Sequence, residues 1–162
     1  DIGPMGNTSS LLYRLPLGGG DPYTIDVNVS DFSLSPASGD LFFSKTSFAG
    51  SDNVYRYFTE SMKASHIFAE SVERFSVSPS GFYIACVSRS GEGKQSLYVV
   101  NAQTGMRGTL SANSHIDSAI YWLPGEDGIV FAEKAEAAAQ KVPKYTTYEV
   151  RFKISFPLRG CV

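Results

Sequence analysis

Arg74-Phe75-Ser76-Val77-Ser78-Pro79, followed by Gly81-Phe82-Tyr83-Ile84-Ala85-Cys86, decides how this chain is read. A short apolar strand runs into a turn carrying Pro and Gly, and a second apolar strand leaves it. Val, Ile, Phe and Tyr bounded by Ser, Pro and Gly are the residue types of a strand pair, since branched and aromatic side chains suit a pleated surface and Ser-Pro favours a turn.

The same pattern occurs twice more. Upstream stands Asp31-Phe32-Ser33-Leu34-Ser35-Pro36, then Gly39-Asp40-Leu41-Phe42-Phe43-Ser44. Downstream stands Ala119-Ile120-Tyr121-Trp122-Leu123-Pro124, then Gly128-Ile129-Val130-Phe131-Ala132. Pro36 to Pro79 is 43 residues and Pro79 to Pro124 is 45. A second strand pattern repeats in phase with the first. Asn53-Val54-Tyr55-Arg56-Tyr57 lies opposite Ser96-Leu97-Tyr98-Val99-Val100 and Thr147-Tyr148-Glu149-Val150-Arg151-Phe152. The tyrosine follows the proline by 19 residues in the first two copies and by 24 in the third. The five extra residues fall in Glu133–Lys141, a stretch of strong helix formers that reads as a short helical turn on a hairpin loop. Leu11-Leu12-Tyr13-Arg14-Leu15 is a further copy, with Tyr13 placed 42 residues before Tyr55.

Four strands in roughly 40–45 residues is the period of a β-propeller blade. Helical repeats of similar length would show apolar residues every third or fourth position, and these segments do not. The expected fold is all-β: antiparallel four-stranded blades, about three of them, forming an incomplete propeller. The units are residues 7–30 (the last two strands of a partial blade), 31–73, 74–117 and 118–162, the last with the Ala-rich insertion near 133–141. Gly3-Pro4-Met5-Gly6 reads as a protease and cloning scar, which sets residues 1–6 outside the fold.

Gln95-Ser96-Leu97-Tyr98-Val99-Val100-Asn101-Ala102-Gln103-Thr104-Gly105 resembles the third strand and following turn of WD-repeat blades. Val100-Asn101 stands where that family has Trp-Asp, and Thr104-Gly105 matches its Thr-Gly. Ser114-His115 through Leu123-Pro124 resembles the stretch from the family's Gly-His to its Ser-Pro turn, with Ser114 in place of Gly. TolB-like propellers and the propeller domains of prolyl-oligopeptidase-type enzymes share this degenerate pattern. The resemblance implies a structural role for His115 in a hydrogen-bond network, with Asn101 replacing the family's Asp. It also implies a non-enzymatic scaffold or protein-interaction module. The alternatives are the substrate-gating propeller of a peptidase whose catalytic domain lies elsewhere, and a secreted or periplasmic TolB-like module.

Candidate chemistry is sparse. Gly91-Glu92-Gly93-Lys94-Gln95-Ser96 approaches a phosphate loop, but Ser88 stands at the first Gly position and Gln95 follows the Lys where Ser or Thr must reach the metal; a hairpin loop is the better reading. No Gly-x-Ser-x-Gly elbow occurs, and the carboxylates are dispersed. His66 and His115 are distant in sequence from each other and from Cys86 and Cys161, which argues against zinc. No catalytic, cofactor or metal residue is therefore assigned. Cys86, inside an apolar run, reads as a buried free thiol. Asn7-Thr8-Ser9 and Asn28-Val29-Ser30 match the glycosylation sequon. Arg151 and Lys153 alternate with Phe152 and Ile154 as on an ordinary strand.

With 14 Lys plus Arg against 16 Asp plus Glu, no basic tract marks a nucleic-acid or anionic-lipid surface. No apolar run approaches the ~18 residues of a membrane span. The expected partners are other proteins, including another chain or segment that completes the propeller, and the expected setting is the cytoplasm.

Overall fold

The structure, a computed structural model, describes residues 10–47, 51–90, 93–116 and 119–134, and the backbone of 145–151. Among the described residues thirteen strands fall into four antiparallel sheets. β1 (Leu11–Arg14) and β2 (Tyr23–Val27) form a two-stranded sheet. β3 (Val29–Leu34), β4 (Leu41–Thr46), β5 (Asp52–Phe58) and β6 (Lys63–Ala69) form a four-stranded one in sequence order. β7 (Val72–Val77), β8 (Tyr83–Arg89), β9 (Gln95–Asn101) and β10 (Arg107–Ser114) repeat it. β11 (Tyr121–Trp122), β12 (Gly128–Lys134) and β13 (Tyr145–Arg151) form the fourth. The all-β architecture and the open, incomplete arc are as the repeat predicts. The expected helical turn lies at 135–141, outside the described residues; Glu133 and Lys134 belong to β12.

The sheets meet face to face, and the sequence pattern follows from that. A second strand lies deep in its sheet with a neighbour on each side, so it reads as a continuous apolar run instead of alternating. Leu41 to Ser44 in β4 and Ile84 to Ser88 in β8 are all buried. Fourth strands are outermost and mostly exposed, as in β6, where only Phe68 is buried.

Successive residues of a second strand therefore pack into different seams. Leu41 and Phe43 join Leu12 of β1 in the seam between the first and second sheets. Phe42, with Val54 and Phe68, meets Ile84, Cys86 and Val100 across the next seam. Ala85 and Val87, with Leu97 and Val99, meet Ile116, Ile120, Ile129 and Phe131 across the last. Full burial of such side chains contributes about 1.5–3 kcal/mol each.

The recurring turn is closed by a matching hydrogen bond in each copy: Ser35 N–H to Asp40 O, Ser78 N–H to Tyr83 O and Leu123 N–H to Gly128 O, each 2.9 Å. Neighbouring turns are tied to one another. Ser35 Oγ donates to Pro79 O at 3.0 Å, and Ala37 N–H donates to the same carbonyl at 3.2 Å. One sheet further on, Ser80 N–H donates to Glu126 Oε1 at 2.6 Å, and Ser80 Oγ donates to Oε2. Buried Ser35 and Ser78 are thus satisfied, which a hydroxyl in a dry seam requires.

Gly81 marks the closest approach. Its φ is +78, and a Cβ there would stand 2.8 Å from Ser35 Oγ and 2.9 Å from Ser38 Oγ. Gly39 has φ +71 with open space around it. Gly39→Ala is expected to lose only the left-handed backbone cost, about 1–2 kcal/mol. Gly81→Ala should lose distinctly more, because the turn-to-turn contact must also part. Urea unfolding of both variants measures the difference, and equal losses would show that the turns are not in contact.

Candidate functional site

The first strands of the second and third sheets begin irregularly. Asn28 and Ser71, the residues linking one sheet to the next, have φ of 59 and 47, a backbone region non-glycine residues seldom adopt. Register shifts follow at Val29/Asp31 and Val72/Arg74. These links and the β8–β9 loop lie at the rim opposite the Pro turns, because each strand carries the chain from one rim to the other.

On that rim, a cleft opens between the second and third sheets. One part, about 340 Å³, is lined by Glu70, Ser71, Ser88, Arg89, Ser96 and Tyr98. A neighbouring part, about 390 Å³, is lined by Ser51, Asp52, Ser71, Val72, Glu73 and Arg89. Comparison with the preceding seam shows why there is space. Lys45 and Ser88 both stand nine residues after their turn proline. Lys45 reaches Asp26 of the first sheet at 2.8 Å and lies 5.3 Å from the Tyr55 ring centre, filling its seam. At the matching place, Ser88 is short. Its hydroxyl is buried with no hydrogen-bond partner among the described residues, and the same is true of Ser90 Oγ.

Charges ring the cleft. Glu73 accepts from Arg89 Nε at 2.7 Å and also from Gln95, and Glu70 pairs with Arg107. Arg107 lies over the rings of Phe68 and Tyr98. Desolvation pushes the Glu73 carboxyl up, but hydrogen bonds from Gln95 and Arg89 and the charges of Arg89 and Arg74 outweigh it and leave the pKa below its ordinary value. Glu73 therefore stands as a carboxylate at neutral pH. The side chain of Arg89 remains 68% exposed, so it can still meet a ligand. The arrangement offers the exposed Ser71, the accessible guanidinium groups of Arg89 and Arg107 and fixed carboxylates, which suits recognition of a polar surface.

The residues singled out in the sequence are scattered. Asn101 Oδ1 accepts from Gln103 and Thr104 N–H, both at 2.9 Å, and so caps its own turn. The His115 carbonyl accepts from Lys134 N–H at 2.8 Å, joining the chain before β11 to β12. His66 lies edge-on to Tyr55 at 5.3 Å. Of the phosphate-loop look-alike, Gly91 and Glu92 lie outside the described residues, and between antiparallel β8 and β9 Ser90 N–H is bonded to Lys94 O. Cys86 is a fully buried free thiol whose pKa is driven far up by desolvation. Asn28 sits in the β2–β3 link, while Asn7, Lys153 and Cys161 lie outside the described residues. Sequence reading missed the rim cleft; the only signal in the sequence was Ser88 at the position of Lys45.

Solved structures place this architecture among known folds. The chain is similar to TolB from Acinetobacter baumannii (TM-score 0.62, 16% identity), covering 86% of this chain and 35% of that one. It is also similar to the β-propeller domain of the Trilobed protease from Pyrococcus furiosus (TM-score 0.63, 11% identity), covering 91% and 55%. An oligogalacturonate lyase matches with TM-score 0.66 and 11% identity over 88% and 41%. These sheets are β-propeller blades. The chain spans about a third to just over half of the length of these propeller proteins. No family model and no curated protein matches it.

Two outcomes test the seam. In a Cys161→Ala background, Cys86 should resist a thiol reagent in the native protein and react fully in denaturant, since a buried thiol is inert; rapid native labelling would show that the seam opens. Ser88→Ala should leave stability unchanged or raise it by up to about 1 kcal/mol, because it removes an unpaired buried hydroxyl. A clear loss in urea unfolding would show that this hydroxyl has a partner.

Proposed function

We propose that this chain is a non-enzymatic protein-interaction module, a portion of a WD-repeat-like propeller that holds a partner at the rim. The supporting observation is the polar cleft between the second and third sheets, where the exposed Arg89 guanidinium is held beside the Glu73 carboxylate. The buried strands on either side are given over to packing, while the links and loops vary in size and charge from one seam to the next. Binding residues commonly sit on such loops, held by a rigid scaffold. The proposed setting is the cytoplasm, where a free thiol such as Cys86 stays reduced.

A second reading is the gating propeller of a peptidase. It draws on the likeness to the Trilobed protease propeller domain. It expects a parent protein that cleaves peptides with a length cut-off, and assays with fluorogenic peptides of increasing length would detect one.

Affinity capture with the chain and with its Arg89→Glu variant tests the first reading. A discrete protein partner should be recovered on the unaltered chain and reduced at least tenfold on the variant, with circular dichroism unchanged. Equal recovery on both would remove the rim cleft as the binding surface.

A further inference from the structure

The charges around the rim cleft do not cancel. The part of about 390 Å³ is lined by Asp52, Glu73 and Arg89, two carboxylates against one guanidinium. Arg89 is committed to Glu73, through Nε at 2.7 Å and Nη2 at 2.6 Å. The neighbouring part is balanced, since Glu70 there pairs with Arg107. Asp52 is left over. It is half-buried, and its side chain makes no ion pair or hydrogen bond among the described residues. Both carboxylates stand on strands: Asp52 opens β5 opposite Thr46, and Glu73 is the second residue of β7. The preceding seam shows what this fold does with such a carboxylate. Lys45 crosses from β4 to the sheet in front and reaches both oxygens of Asp26, at 2.8 and 3.0 Å, with the Tyr55 ring centre 5.3 Å from its ammonium. At the second seam the matching residue, Ser88, is too short to cross. It lines the cleft, is 3% exposed and has no hydrogen-bond partner among the described residues. This seam has the space and the carboxylate but lacks the ammonium.

We propose that the rim cleft takes a lysine side chain of the partner protein, with its ammonium on Asp52 beside Glu73. The proposal rests on reading the cleft as a protein-binding surface, and it names the chemistry of what enters. One positive charge balances the two carboxylates and the single guanidinium of this cavity. An acidic segment would instead bring like charge against Asp52 and Glu73, while the guanidinium it needs is already paired, and like charges brought together at an interface are costly. A charge held in a partly enclosed site is also screened less than one on an open surface. Arg89 has a second part in the same complex. A guanidinium has five N–H donors, and this one is 68% exposed beyond its bonds to Glu73. Its remaining donors are free for main-chain carbonyls of the segment that carries the lysine. Asp52 therefore selects the side chain and Arg89 holds the main chain next to it.

The probes are three short peptides blocked at both ends and identical except for one central residue: lysine, Nε-acetyllysine or glutamate. Each is titrated into the full chain labelled with nitrogen-15, and amide shifts are followed by NMR. The lysine peptide is expected to shift the amides of Asp52, Ser71, Glu73 and Arg89 saturably, and added salt should weaken it. The acetyllysine and glutamate peptides should bind at least tenfold more weakly. Asp52→Asn should weaken the lysine peptide at least tenfold, with circular dichroism unchanged. The proposal is overturned by no saturable shift at these amides, by acetyllysine or glutamate binding as well as lysine, or by lysine binding that Asp52→Asn leaves intact. The capture experiment separates this result from the broader reading. If Arg89→Glu loses the captured partner but the lysine peptide does not compete with that partner, the cleft binds protein by other chemistry and only the lysine proposal falls. If the lysine peptide binds as expected and Arg89→Glu leaves capture unchanged, the ammonium site stands and the rim reading falls.

Discussion

No sheet in this chain can bury both of its faces alone. Second strands such as Phe42-Phe43 and Ile84-Ala85-Cys86-Val87 carry apolar side chains on both sides, and at about 1.5–3 kcal/mol for each buried side chain both faces must be covered. Every other feature follows from this requirement. The sheets stack through three seams, and each seam draws on two sheets. Among the described residues Phe32 and Leu34, on the sheet faced by β1 and β2, are exposed.

The seams are alike in framework but not in filling. Each Pro turn is closed by the same backbone bond, and each is tied to the next by a polar contact suited to the residues at hand. Between the second and third sheets this is Ser35 and Ala37 on a carbonyl; between the third and fourth it is Ser80 on the Glu126 carboxylate. At the opposite rim, the seam that has Lys45 is filled and the seam that has Ser88 is open. A repeat that preserves strand pairing leaves such positions free to vary, so loops and links acquire chemistry while the strands keep the fold.

The likeness to a TolB, a protease propeller domain and a lyase at 11–16% identity shows how little sequence this architecture requires. Proteins of different named activities share the blade, so the fold by itself does not select a function.

Spacing alone determined the strand-rich repeat, its phase and the all-β class, because strand pairs with Pro turns at a fixed period leave few other ways to bury apolar runs. Tyr13, Tyr55 and Tyr98 stand on equivalent strands for that reason. Asn101, which the resemblance to WD blades sets where that family has Asp, caps its own turn, a local bond that a family pattern does not reveal. The rim cleft and the exposure of Phe32 and Leu34 were not legible in the sequence. Leu34 and Val77 occupy the same repeat position and are equally apolar; one is in water and the other in a seam. Burial depends on which neighbour stands in front, and only the tertiary structure decides that.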